Sequence, residues 1–180
     1  MKLSCVFKLL LLVICPVVMA AEPTGASPSA PIKSHTISDY ETYGNGRFGF
    51  SIDFPRKLLV PQRAADNGDG QTFISHDGKT RMSVWGSNNS ADPSEPPDTP
   101  KTVYAKALKA IKKDGKRQLT LKLQKDNWFV LSGFEGENIF YRKVYFIENQ
   151  FINFEIVYPS AQREQWDAEA ARLGKSFKPE

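Results

Sequence analysis

Beyond its first twenty residues the chain contains no cysteine: Cys5 and Cys15 are its two thiols. A domain built from the remainder has no disulfide, no thiolate nucleophile and no cysteine metal site, so its stability must come from an apolar core. Histidine is almost as scarce, with only His35 and His76. A tetrahedral zinc site needs several convergent ligands, and the sequence offers no clustered set. No Gly-rich loop with a following lysine is present to cradle phosphate, and no Gly-x-Ser-x-Gly elbow presents a serine nucleophile. Apolar runs of about 20 residues, long enough to span a bilayer, are also missing. No cofactor is implied.

The start of the chain is patterned. Lys2 and Lys8 precede an apolar run from Leu9 to Val18, interrupted only by Cys15 and Pro16. Val18-Met19-Ala20 then places small or modest residues at the −3 and −1 positions of a cleavage site. This order predicts a secretory signal over 1–20, cleaved between Ala20 and Ala21, and a periplasmic or secreted product. Bulky Ile14 and the following Pro16 make Cys15 a poor lipid-attachment site. Removal of the leader leaves 22 of the 24 basic residues against 20 acidic ones, a net +2. Residues 21–38 hold Pro23, Pro28, Pro31 and several serines without apolar periodicity, and read as a flexible tether. Residues 39–180 suit a single α+β domain.

Within that domain the periodicity alternates between two and 3.6 residues. Phe48, Phe50, Ile52 and Phe54 alternate with small or polar residues up to Pro55, which predicts a strand with one buried face. Gln71 to Ser75 and Arg81 to Gly86 flank an Asp77-Gly78 hairpin turn. A helix is expected from Pro100, with Thr99 as N-cap, Gly115 as its terminator and Tyr104, Ala107, Leu108 and Ile111 as its apolar stripe. Leu119, Leu121 and Leu123 alternate with polar residues and predict another one-faced strand. Short turns then join runs starting at Trp128, Ile139 and Phe151, and such turns connect only antiparallel neighbours. A last helix carries Trp166, Ala170 and Leu173, with Gly174 as its expected terminator. The helices' stripes need the strands' apolar faces. The fold class expected is therefore α+β: an antiparallel meander with two helices packed against it.

The octapeptide Phe48-Gly49-Phe50-Ser51-Ile52-Asp53-Phe54-Pro55 resembles the GFSIxYP opening strand of PsbP-like domains. That superfamily takes in exported bacterial proteins of the DcrB kind. The order that follows is similar too: hairpin, helix, meander, then a C-terminal helix ending at Ser176-Phe177. The likeness covers about residues 40 to 178. It implies a PsbP-like sandwich and a non-enzymatic binding or assembly role. No partner-binding residues of the family match this sequence position by position.

Chemistry outside that resemblance is thin. Asn67-Gly68-Asp69-Gly70 matches the middle of a calcium loop, but placing Asp69 fifth puts Ala65 first and His76 twelfth, and neither supplies a carboxylate. Ser75-His76-Asp77 holds triad residue types, yet strand neighbours point to opposite faces. A hydrolase centred on His76 would need a partner from elsewhere. Glu135 and Glu137 flank a turn and read as solvated.

Two features stand out. From Lys101 to Lys125 nine cations face one acid, Asp114. Lys106, Lys109, Lys113 and Lys116 recur at helical spacing opposite the apolar stripe, and Lys122 and Lys125 extend the bias. Such a face suits an acidic envelope protein or an anionic lipid surface. Nucleic acid is excluded by export and by the lack of interleaved arginine and aromatic residues. Second, 10 of the 21 aromatic residues lie between Trp128 and Tyr158. Ile139 to Ile147 is apolar on both faces. Either both faces are covered, or one carries a small apolar ligand.

Overall fold

The structure of the chain, a computed structural model, describes residues 39–89 and 96–180. The leader, the cleavage point at Ala20 and Ala21 and the 21–38 tether lie outside the described residues. Phe50, Ile52 and Phe54 of the alternating run lie in β2 (Phe50–Pro55), which pairs antiparallel with β1 (Tyr40–Asn45). Phe48, expected in the same strand, sits in the turn between them because Gly49 adopts a left-handed φ of 58°. The sequence pattern does not reveal β1, because Asn45 is its sole buried residue. Next come β3 (Leu59–Pro61), β4 (Gly70–Ser75) and β5 (Arg81–Asn88). The first helix, α1 (Pro100–Asp114), begins at the expected Thr99 cap and ends at Gly115, whose φ of 70° is left-handed. The meander follows as β6 (Arg117–Gln124), β7 (Trp128–Glu135), β8 (Asn138–Ile147) and β9 (Gln150–Pro159). A 3-10 turn, Ser160–Gln162, leads into α2 (Arg163–Ser176), and β10 (Lys178–Pro179) closes the chain.

The strands make two sheets. The larger is seven-stranded in the order β3-β4-β5-β9-β8-β7-β6, and the smaller is β1-β2-β10. All pairings are antiparallel, and β5 with β9 joins the first half of the chain to the meander.

One face of the large sheet meets β2 and α2. There Phe50, Ile52 and Phe54 pack with Phe73, Met82, Phe154, Ile156, Leu173 and Phe177 in one apolar cluster. Phe50, Phe154 and Phe177 are wholly buried, and each such ring contributes about 1.5–3 kcal/mol by leaving water. Gly174 is not the terminator of α2: the helix runs on to Ser176. Gly174 is instead buried where the helix crosses β8, and a Cβ there would lie 2.8 Å from the Tyr141 hydroxyl. Its carbonyl accepts from Lys143 Nζ at 2.7 Å. That buried ammonium also lies over the Tyr145 ring, 4.7 Å from its centroid.

The other face is covered only in part. Val103, Tyr104, Ala107, Leu108 and Ile111 of α1 pack on Phe129, Leu131, Phe140 and Val144. Both faces of β8 are thereby covered, Phe140 and Val144 under α1, Ile139 under α2. Eight of the ten aromatic residues of the meander pack in or against the two core clusters, while Phe134 stays 38% exposed.

Candidate functional site

None of the residues of α1 is fully buried. The helix sits over β6 and β7 at the rim of the sheet, and its start lies beside the end of β6, where Thr99, Pro100, Lys101, Gln124, Lys125 and Asp126 line one cleft. The stripe faces the sheet, so the lysines face outward. Lys101, Lys106, Lys109, Lys112, Lys113, Lys116, Lys122 and Lys125 are all exposed.

Their engagement differs. Lys106 is bonded to Asp98 at 2.7 Å. Hydrogen bonds from Lys106 and Thr102 hold the Asp98 carboxyl below its ordinary pKa. Lys116 lies 3.9 Å from Asp114. Lys109 and Lys113, with Lys112, make no ion pair among the described residues. Lys116 lies beyond the Gly115 cap and so is not on the helix face, contrary to its spacing. Of the other three lysines singled out by spacing, Lys106 is tied to Asp98, and Lys109 and Lys113 are available.

Arg117 does not belong to the basic face. It turns inward and binds Glu155 at 2.9 Å and Glu135 at 3.1 Å. Its guanidinium lies 4.4 Å from the Phe140 ring centroid. Burial opposes its charge, but Glu155 and then Glu135 outweigh that effect and raise its pKa. Glu135, expected in solvent, is thus a structural partner.

The row of leucines on β6 also departs from expectation. The register passes from Leu119↔Gly133 to Leu121↔Ser132, leaving Thr120 unpaired in a bulge. One extra residue reverses the alternation. Leu119 packs toward α1, whereas Leu121 lines a trough with Phe134, Tyr141 and Ala170 on the α2 side. Leu121 and Leu123 remain 45% and 40% exposed. The strand is not one-faced.

A cleft of about 620 Å³ lies on the part of the sheet that α1 leaves open. Arg63, Asp69, Thr72, Arg81, Ser83 and Trp85 are among its lining residues. Its lining is mixed, with Ala65, Val84 and Trp85 beside these polar and charged groups. Asp69 is held by Arg47 at 2.7 Å, so its turn is a closed structural loop. No cluster of metal-ligating side chains occurs among the described residues.

His76 is exposed at the β4–β5 hairpin and makes no hydrogen bond among the described residues. The Ser75 hydroxyl donates to Asp77 at 2.6 Å and accepts from the Thr80 amide at 2.9 Å. It is committed to the turn and not to an imidazole.

A three-stranded sheet and a helix on one side of a seven-stranded sheet, with a second helix on its rim, is the PsbP-like architecture. The solution structure of the cyanobacterial PsbP protein CyanoP from Synechocystis sp. PCC 6803 matches 86% of this chain and 100% of its own, with a TM-score of 0.56 and 16% identity. Mog1p, a Ran-binding protein of Saccharomyces cerevisiae, matches 78% of this chain and 95% of its own, with a TM-score of 0.50 and 8% identity. No protein-family model and no curated protein matches the sequence. The chain has the PsbP-like fold, as the octapeptide at Phe48 suggests.

Proposed function

We propose that this chain is an exported, non-catalytic binding module that docks an acidic protein on the lysine rim of α1. One observation carries the proposal: Lys109, Lys112 and Lys113 stand exposed without ion pairs among the described residues, while Asp98, Glu135 and Glu155 are occupied by Lys106 and Arg117. The yeast structural neighbour is by name a Ran-binding protein, so the fold serves protein recognition there. Anionic lipid is the less suited occupant. The apolar stripe of α1 is turned toward the sheet, leaving headgroup attraction of about 1 kcal/mol per lysine. No helix among the described residues is long and apolar enough to cross a membrane.

The test compares wild type with the triple variant Lys109→Glu, Lys112→Glu, Lys113→Glu. Lys106 is left intact because its reversal would also break the Asp98 pair. Polyglutamate should be retained by the wild type at about 50 mM salt and released at about 500 mM, where screening is short-ranged. The variant should not retain it, and its stability should stay within about 0.5 kcal/mol, as for surface substitutions generally. Unchanged retention by the variant would remove α1 from the site. Retention of anionic vesicles but not polyglutamate would reassign the rim to lipid.

A further inference from the structure

β6 ends the seven-stranded sheet, so among the described residues the outer side of its backbone has no strand partner. Such an edge is a template for another strand. Its two faces have different chemistry. Toward α2 stand Leu121 and Leu123, with Phe134 of β7 beside them at 38% exposure. With Val60 these are the large exposed apolar residues among the described residues, so three of the four gather at one edge. Toward α1 stand Lys122 and Gln124, with Lys101 and Lys125 flanking a cleft of about 420 Å³ at the helix start. Lys101, Lys122 and Lys125 make no ion pair among the described residues. The bulge at Thr120 creates this division, because it sends Leu121 and Leu123 to the face opposite Leu119.

Side chains of an added strand alternate between the same two faces. We infer that the free edge of β6 takes an added strand: an extended segment of a partner protein in which acidic residues alternate with apolar ones. The acidic side chains meet Lys122, Lys125 and Lys101. The apolar ones extend the row of Leu121 and Leu123. Main-chain hydrogen bonds supply affinity, and alternation supplies specificity. A second copy of this chain fits poorly, because β6 carries no acidic side chain to answer Lys122. The inference rests on the lysine-rim proposal and narrows it. The helix gives long-range attraction, and the edge reads the partner's pattern.

The experiment titrates isotope-labelled full chain with a capped octapeptide alternating glutamate and valine. A block peptide of the same composition, four glutamates then four valines, is the control. The alternating peptide should bind about tenfold or more tightly than the block peptide. Its perturbations should centre on residues 117–124, where amide exchange slows. Methylating alternate backbone nitrogens of the peptide should abolish binding without any change to the protein. Leu121→Glu with Leu123→Glu, at exposed positions, should weaken binding by about tenfold at unchanged melting temperature. Equal binding of both peptides, or perturbations confined to α1, overturns strand addition and leaves the lysine rim standing. Failure of both peptides and of polyglutamate overturns both. Concentration-dependent dimerisation lost in the double variant makes a second copy the occupant and overturns the inference.

Discussion

Asp77 shows how much one side chain organises without any catalytic role. Its carboxylate accepts from Ser75, from the Lys79 amide and, across the fold, from Gln162 Nε2 at 2.7 Å. The Ser75 bond, then those from Gln162 and Lys79, lower its pKa from 3.8 to about 2. Folding therefore favours the ionised form. The stability this group contributes is complete above its unfolded-state value of 3.8 and is lost as pH falls toward about 2. Asp77→Asn should melt below wild type at neutral pH, and the two melting temperatures should converge in that acid window. A constant difference down to the lowest pH would show that ionisation is not what the turn uses. Spacing identified this residue as part of a turn, but Gln162 is 85 positions away, and no local pattern announces such a partner.

At the scale of elements, α1 contrasts with α2. Trp166, Ala170, Leu173 and Gly174 anchor α2 in the core, whereas α1 buries none of its residues fully. Isolated helices of about 15 residues are marginal in water. The ends of α1 therefore matter more than usual. Thr99 accepts from the Thr102 amide at 3.2 Å, and the Thr102 hydroxyl accepts from the Thr99 amide at 2.8 Å, a reciprocal cap. Thr99→Ala removes about 1 kcal/mol of cap energy. Because the helix lies on the rim, the loss should appear as local opening. Amide exchange over residues 101–104 should quicken about fivefold while the melting temperature barely moves. Exchange that stays as slow as in the wild type would mean that packing, and not the cap, holds the first turn. The β6 bulge belongs to the same scale: one unpaired Thr120 decides which face Leu121 presents.

At the scale of the whole molecule, the two faces of the large sheet carry unequal cover. α2 and the smaller sheet seal one face around a single phenylalanine-rich cluster, while α1 covers part of the other and leaves the cleft beside Trp85 open. With no cysteine after Cys15, an oxidising compartment demands nothing of this domain but its core. We propose on the leader's pattern that the chain is exported. The mass of the exported product should correspond to an N-terminus at Ala21, and an intact Met1 in the mature protein would refute it.

The local grammar of the chain was legible residue by residue. Thr99 and Gly115 bracket α1, Phe50, Ile52 and Phe54 share a buried face, and the meander follows from its short turns, because caps, period and turn chemistry are written within a few neighbouring residues. Tertiary structure alone decided which of those residues remain available. Arg117 leaves the basic face because Glu155, 38 positions away, is brought beside it. Lys106 is spent on Asp98 while Lys109 and Lys113 are not. Gly174 serves the close approach of Tyr141 to α2 and does not end the helix. Register, bulges and ion pairs between distant segments depend on which strands lie side by side, and periodicity within a segment carries no record of that.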